Sequence, residues 1–454
     1  MKVLTKNIAP GRGPLSLREY RAQGGYEAFR KARFSMTPPD ICAEVARSGL
    51  RGLGGAGFPT GNKWRFMPRP SGKGPDHRPG ENGERFVVMN ADEMEPGAFK
   101  DRLLLEGDPH QAIEGLLIAA YAVEATSAFI FLRSEYARAE KLLRTAIAEV
   151  TAAGASGDHV FGSFRNIQVR LHVSAGRYMC GEETGLLNAL EGGRAQPRNK
   201  PPFPQVVGLF GKPTVVNNVE TLCCIPHIVQ RGAEWFRTLG RNGSCGTKLY
   251  GVSGRVNRPG IWELPMGTTA RELIEEHAGG MQEGRRLRGF LPGGASTDFL
   301  TAAHLDTPLD FDSLQKAGSR LGTGTLILLD DRTCPVGMVR NLETFFARES
   351  CGWCTPCRDG LPWTRSILEE IEDGKGIHGD IERLELLCKR LSPGNTFCAF
   401  APGAVSPLQS ALHFFREEFE RHIKEKRCSF KVEGRPTDRF YRRISRYSAG
   451  TGER

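Results

Sequence analysis

Three cysteines, Cys351, Cys354 and Cys357, stand at C-x2-C-x2-C spacing, and Cys398 follows across two predicted helices. Iron clusters need four thiolates converging on one point. Three on a tight loop and a fourth delivered by the fold meet that need. Zinc competes for the same ligands, although zinc sites more often use two separated cysteine pairs. The prolines in "TPC" and "TFCAFAPG" are expected to keep the cysteine loops in turns rather than helix. The remaining cysteines, including the adjacent Cys223 and Cys224, lack ligand spacing and read as core thiols.

A second group of residues has the chemistry to hold a phosphate or a flat ring. Arg51 to Trp64 contains five glycines, and Gly52, Gly54 and Gly57 match G-x-G-x-x-G. The match alone is weak, because a dinucleotide fingerprint follows a strand and here a helix precedes it. A Walker loop also fails, since Asn62 separates Gly61 from Lys63. Exposed backbone N–H groups plus Lys63 remain, and a purely structural turn is the alternative. Asp92, Glu93, Glu95 and Asp101 crowd "NADEMEPGAFKDR" at the end of a predicted strand, and Glu182 and Glu183 lie in "GRYMCGEETG" after another. Such carboxylates can accept hydrogen bonds from sugar or ribityl hydroxyls and repel an extra phosphate; solvated acidic loops are the plainer reading. A carboxylate pair for glycoside hydrolysis would leave the four cysteines unexplained. Asn217 and Asn218 can bond a heterocycle edge or cap a turn.

These residues need a scaffold. Two helical stretches over 16–50 lead into the glycine loop, where no regular element is expected. Residues 68–85 hold four Pro and four Gly and read as an exposed loop. "RFVVMNA", "AFIFL" and "IQVRLHVSAG" read as strands alternating with helices, which predicts βαβ units and a mostly parallel sheet. Near Gly240 the texture changes to strand–turn–strand, a helix over "TTARELIEEHAGG" and two further strands, a compact α+β unit. From Val336 four helical stretches predict a small bundle.

The 454 residues carry 62 Lys+Arg against 52 Asp+Glu, a net charge of +10, with 39% apolar residues. That balance excludes collagen-like, disordered and membrane-bundle classes. The longest uninterrupted apolar stretch near Gly115, Leu116 to Val123, is far short of the ~20 residues a span needs. Lys2, Lys6 and Arg12 precede no apolar run, so no signal peptide is expected, and reduced thiols in the cytoplasm are. Ten basic residues lie between Arg421 and Arg446 against three acids, read as a solvated tail or a dock for an acidic neighbour ahead of nucleic acid.

Taken together, "GGAGFPTGNKW", "NADEMEPGAFKDR", "CGEETGLLNALEG", "KPPFPQVVGLFGKPTVVNNVETL", "ESCGWCTPCRDG" and "FCAFAPGAVSPLQSA" resemble, in order, the NADH-binding flavoprotein subunits of respiratory complex I, the proton-pumping NADH:quinone oxidoreductase. Coverage runs from about Tyr20 to His422. The resemblance implies an α/β protein: N-terminal helices and a Rossmann-like FMN- and NADH-binding domain over 1–237, a β-grasp domain over 238–332, a four-helix bundle holding a [4Fe–4S] cluster over 333–425, and a basic tail over 426–454. By motif match, FMN touches Gly52, Gly54, Lys63, Asn90, Asp92, Glu93, Tyr178, Gly181, Glu182, Glu183, Asn217 and Asn218. NADH stacks on Phe58, Phe66 and Phe203, with Lys63, Glu95, Glu183 and Lys200 at its polar groups. The cluster ligands are Cys351, Cys354, Cys357 and Cys398.

The family's glycine loop usually carries Arg where Leu53 stands, so no phosphate contact is assigned there, and loop 68–85 is longer than usual. No acid–base catalytic residue is expected, because hydride passes from NADH to flavin, which can release electrons singly to a cluster. The resemblance also implies a small [2Fe–2S] subunit and a large iron–sulfur subunit as partners, no nucleic acid, no direct membrane insertion, and a place in the peripheral arm on the cytoplasmic side of the inner membrane. The near alternative is the NADH-oxidising subunit of a soluble hydrogenase or formate dehydrogenase. A zinc-stabilised nucleic-acid-binding protein would explain charge and cysteines, but not the βαβ region.

Overall fold

The computed structural model describes residues 2–68, 83–162 and 166–430. Most of the loop read at 68–85 and of the tail read at 426–454 lies outside the described residues. Four strands, β1 (Phe86–Ala91), β2 (Ser127–Leu132), β3 (Gln168–Val173) and β4 (Thr214–Asn218), form a wholly parallel sheet in the order β3-β2-β1-β4. β1 is almost continuously apolar because both of its faces are covered. The helix Pro109–Ala122, buried along its whole length, packs with the helix Val219–Arg231 in the core beneath it. The chain builds β1, β2 and β3 in one direction, then returns to place β4 on the other side of β1. The strand order therefore reverses between β1 and β4. At such a reversal the connections diverge and leave a crevice beyond the carboxyl ends of the strands. Asn90 and Asn218 are register partners at that spot.

A second, mixed sheet contains β5 (Thr247–Ser253), β6 (Gly260–Pro265), β7 (Leu287–Leu291), β8 (Leu300–Thr301) and β9 (Thr325–Asp330), in the order β6-β5-β9-β7-β8. β5 and β6 form an antiparallel hairpin, while β5 lies parallel to β9. The predicted helix over "TTARELIEEHAGG" is a wider π-helical turn at Glu272–His277. The two sheets share one apolar core, which runs from Val87 and Ile113 to Tyr250 and Leu326. A buried charge cluster also fastens them together. Glu220 accepts from the Leu249 backbone N–H at 2.7 Å and pairs with Lys248 at 2.6 Å and Lys100 at 2.9 Å.

The C-terminal region is helical, with its own core around Phe346, Leu368, Leu384 and Leu408. Among the described residues five helices stand where four are expected: Pro335–Glu349, Thr355–Glu372, Asp380–Arg390, Phe400–Phe414 and Arg416–Glu425. The fourth predicted stretch breaks at Phe415, whose φ of −131° interrupts the helix. Its ring meets Phe299 edge-on at 5.5 Å. Prolines also behave differently from expectation. Pro356 occupies the first turn of its helix, where its missing N–H costs nothing, so Cys357 is helical rather than in a turn.

Candidate active site

The glycine loop folds back on itself. The Gly52 N–H donates to the Phe58 carbonyl at 2.8 Å and the Thr60 N–H to that of Leu50 at 2.9 Å. A short helix, Thr60–Arg65, then fills the end of a segment expected to hold no regular element, and it carries Lys63. Leu53 is buried, and its N–H donates to the Thr221 hydroxyl at 2.8 Å, fixing the loop over the start of the helix after β4. Glycine is required at Gly54, because a Cβ there would lie 2.8 Å from Asn218 Cβ. Gly55, at φ +138°, faces open space, as does Gly181. The loop thus brings backbone to within van der Waals distance of the β1/β4 crevice.

Three aromatic rings stand exposed where a core would normally claim them: Phe58, Phe66 and Phe203, at 48%, 59% and 54% exposure. Phe58 and Phe66 lie 6.2 Å apart between centroids. Lys63 lies at the crevice and donates to Glu183 Oε2 at 2.6 Å and to the Val216 carbonyl of β4 at 2.7 Å. Lys200 pairs with Glu182 and lies 3.8 Å from Glu183. Two lysines therefore balance two glutamates.

Among the predicted cofactor residues, the structure separates those with free valence from those already used. Asp92 is 5% exposed at the end of β1, and neither carboxylate oxygen has a well-formed hydrogen bond, although Ser174 and Cys180 lie in electrostatic reach. Burial pushes its pKa up to about 6. An orphaned acceptor beside the strand reversal suits a polyhydroxyl ligand that donates to it. Asn217 accepts from the Trp64 indole at 2.9 Å, and Asn90 donates to the Cys180 carbonyl at 3.3 Å.

Glu93, by contrast, is wholly occupied. It accepts from the N–H groups of Lys100, Asp101 and Arg102 at the start of the helix Lys100–Gly107, and from the Tyr136 hydroxyl at 2.9 Å. Asn218 caps the next helix by accepting from the Glu220 N–H, and it donates to Asp101 at 2.6 Å. Glu182 caps the helix Glu183–Leu190. These three hold the walls of the crevice in place.

The turn Tyr178–Gly181 joins this crevice to the cysteines. The Tyr178 hydroxyl donates to Glu95 at 2.5 Å, and Glu95 also accepts from the Ser296 N–H at 2.6 Å. Burial raises the Glu95 pKa, and the Tyr178 and Ser296 hydrogen bonds pull against that rise. The Tyr178 ring meets Phe345, Phe346 and Phe400 edge-on at 5.4 to 5.7 Å. Met179 belongs to the core of the helical region, and its neighbour Cys180 to the core under the sheet. Cys354 is the N-cap of Thr355–Glu372, Cys357 lies in its first turn, and Cys398 precedes Phe400–Phe414. Cys351, Cys354 and Cys398 pack against the same core as Cys357. Burial pushes the Cys357 thiol up, and the charges of Cys354, Cys398 and Cys351 add to it. Cys354, Cys357 and Cys398 stand at helix starts and Cys351 just past the end of Pro335–Glu349; these four free, partly shielded thiols fit the ligand set of an iron–sulfur cluster.

Two further cysteines are not the isolated core thiols expected. Cys334 and Cys428 meet Glu372 and His422, with ligand atoms all within 4.8 Å of one another. The four residues come from three separate segments, with His422 and Cys428 six positions apart, so sequence spacing alone does not announce the group.

A strand-end crevice joined through one turn to four cysteines has the layout of a protein that holds a flat cofactor close to an iron–sulfur cluster. Residues 45–227 match the Nuo51 FMN-binding domain, 249–300 the SLBB domain, and 337–422 the NADH-ubiquinone oxidoreductase-F iron-sulfur binding region. The chain is 54% identical over 422 residues to the F subunit of the NADH-quinone oxidoreductase of Escherichia coli, covering 93% of both chains. It is 47% identical over 411 residues to the Streptomyces coelicolor protein of the same name, covering 90% of this chain and 89% of that one. Among solved structures, an NAD+-reducing [NiFe]-hydrogenase in the air-oxidized state superposes with a TM-score of 0.77 at 35% identity, covering 88% of this chain and 65% of that one. The chain belongs to the family of NADH-quinone oxidoreductase F subunits.

Proposed function

We infer that this chain is the electron-input subunit of an NADH:quinone oxidoreductase, with FMN and a [4Fe–4S] cluster as cofactors. The supporting observation is the Tyr178–Gly181 turn, whose residues belong at once to the strand-end crevice and to the cysteine-bearing core. Bound there, FMN supplies the chemistry of taking two electrons as hydride and releasing them singly.

This chain's own residues bind and orient. Backbone N–H groups of the glycine loop and Lys63 hold the phosphate end of the flavin, and Asp92 accepts from its ribityl hydroxyls. Asn90, Gly181 and Asn217 line the ring, while Glu93, Glu182 and Asn218 keep the surrounding helices in register. Phe58, Phe66 and Phe203 stack on NADH and exclude water from the ring it faces. Lys200, Glu95 and Glu183 bond its polar groups. Cys351, Cys354, Cys357 and Cys398 hold the cluster.

The second sheet serves as the β-grasp module and the C-terminal helices as the cluster-bearing bundle. The partners are a small [2Fe–2S] subunit and a large iron–sulfur subunit, in a peripheral arm on the cytoplasmic side of the membrane. Among the described residues, no helix is long and apolar enough to cross a membrane. The hydrogenase-type alternative is the weaker reading, since that chain is matched over only 65% of its length. The test is spectroscopic: purified protein shows flavin and iron–sulfur absorption that NADH bleaches, with ferricyanide reduced in turn. A colourless zinc protein would overturn the reading.

A further inference from the structure

The cluster at Cys334, Glu372, His422 and Cys428 lies outside the crevice and the iron–sulfur loop. Cys334 is the N-cap of the helix Pro335–Glu349, Glu372 is the last residue of Thr355–Glu372, His422 is on Arg416–Glu425, and Cys428 follows that helix. Glu372, His422 and Cys428 are buried and Cys334 is half-buried.

The donor geometry is informative. Cys334 Sγ lies 3.4 Å from Glu372 Oε2 and 3.4 Å from His422 Nε2, and these two atoms are 3.4 Å apart. A tetrahedral zinc ion with ordinary bond lengths to sulfur, nitrogen and oxygen spaces such donors about 3.4–3.6 Å apart. Pairwise hydrogen bonds could explain any one edge. They do not explain why four ligating groups, drawn from three separate segments, face one point in a protein interior.

The surrounding bonds support the same reading. His422 Nδ1 lies 2.6 Å from the Glu418 carbonyl and donates to it, so Nε2 is the ring nitrogen that faces the cluster. A metal-binding histidine is commonly oriented this way, fixed from behind by a backbone acceptor, and zinc binding would displace the Nε2 proton. The Gly337 N–H donates to Cys334 Sγ at 3.3 Å, as N–H groups do to metal-bound thiolates. Glu418 itself is anchored by Arg288 at 2.7 Å, so the helix that presents His422 is held in place.

We propose that Cys334, Glu372, His422 and Cys428 form a tetrahedral zinc site that fastens the last helix to the cluster-bearing region. Zinc brings no redox chemistry and closes all four positions with protein ligands, as structural sites do. Binding displaces the thiol protons to solvent and leaves the four donors around one cation. The site draws three separate segments together, so its loss should loosen the chain around Lys426–Phe430.

The experiment is metal analysis of the full-length protein loaded with flavin and cluster, grown with zinc and freed of loose metal by a weak chelator. About one zinc per chain is expected beside the cluster iron, and X-ray absorption at the zinc edge should show two sulfur and two nitrogen or oxygen neighbours. Cys334→Ser/Cys428→Ser should lose the zinc while flavin and iron contents stay at wild-type values, with faster proteolysis after Lys426. Glu372→Gln, a milder change, should weaken zinc retention against a graded chelator. Wild-type protein with no stoichiometric zinc would overturn the proposal, as would zinc kept in full by the double variant. A Cys334–Cys428 disulfide in freshly quenched protein would overturn it as well.

Discussion

Glu183 and Asp92 illustrate how single side chains set the chemistry of the crevice. Glu183 pairs with Lys63 and shares Lys200 with Glu182, so the charge of these four side chains sums to zero. NADPH differs from NADH by a 2′-phosphate of about −2 charge. Replacing Glu183 by Gln leaves the two lysines with one carboxylate and turns the site attractive to that phosphate. A change of ~1–3 kcal/mol corresponds to roughly 5- to 150-fold in relative kcat/KM for NADPH over NADH. An unaltered coenzyme ratio would remove Glu183 from the nucleotide site.

Asp92 makes a different prediction, with a definite sign. Its folded pKa of about 6 stands above the ordinary carboxylate value, so the native chain binds the proton more tightly. Stability from this group is present at low pH and is lost as pH rises toward and through about 6, at a cost on the order of 3 kcal/mol when ionised. Asp92→Asn should therefore raise the melting temperature of the cofactor-free chain at pH 8 and do little at pH 4. The same variant should bind FMN more weakly, because an amide lacks the charged acceptor that ribityl hydroxyls favour. Melting curves at both pH values and a flavin titration check the pair.

At the scale of elements, the cluster and the crevice sit on different scaffolds that share one turn. Cys354→Ala should abolish or cripple the iron–sulfur signal while FMN stays bound, and NADH should still reduce artificial two-electron acceptors. Parallel loss of flavin and iron in absorption and metal assays would contradict that separation. The buried cluster of Glu220, Lys100, Lys248 and Asp101 couples the sheets more tightly. Burial alone would raise the Glu220 carboxyl, but Lys100 and Lys248 hold it below its ordinary value. Glu220→Gln strands buried lysine charge, a change that costs about 3–5 kcal/mol in comparable cases. Chemical denaturation should show that loss together with weakened flavin binding, since Asn218 caps the same helix.

Elements also differ in how far sequence announces them. The cysteine loop is legible because three of its cysteines are local, β1 and β2 because buried strands are written as apolar runs between turn residues, and β3 because an edge strand alternates apolar with polar residues. Glu93 looks like a ligand because it sits in an acidic cluster beyond a strand, yet its partners are the N–H groups of residues 100–102. The expected turn at Cys357 is a helix start, since Pro tolerates both settings. The break at Phe415 depends on where one buried ring packs, which periodicity does not record. Cys334 and Cys428 stand 94 positions apart and meet only through tertiary packing.

For the whole molecule, the question is where electrons go after the cluster. Among the described residues only one set of cysteines has the spacing of an iron–sulfur motif, and no helix spans a membrane. The chain's relatives are named as F subunits of NADH-quinone oxidoreductase, so other subunits of that complex are its partners. Exposed Trp353 and Phe397, edge-on at 6.3 Å, flank Cys354 and Cys398 and place an apolar surface beside the cluster. Apolar aromatics left in solvent beside a redox centre suit a covered interface. The basic stretch from Arg421 to Arg446 adds ten cations against three acids, suited to an acidic neighbour. The isolated chain should oxidise NADH with ferricyanide but fail to reduce quinone by the inhibitor-sensitive route. Pull-down from native membranes should recover both iron–sulfur partners, and Trp353→Ala should weaken recovery without lowering ferricyanide activity. Charges on the basic stretch act through solvent, so recovery should fall as ionic strength rises from about 0.05 to 0.5 M and screening shortens. Truncation before Lys431 should flatten that salt dependence. A truncated chain that keeps the full salt response would transfer the electrostatic role from the tail to the rest of the chain, and a monomer with complete quinone reductase activity would end the subunit reading.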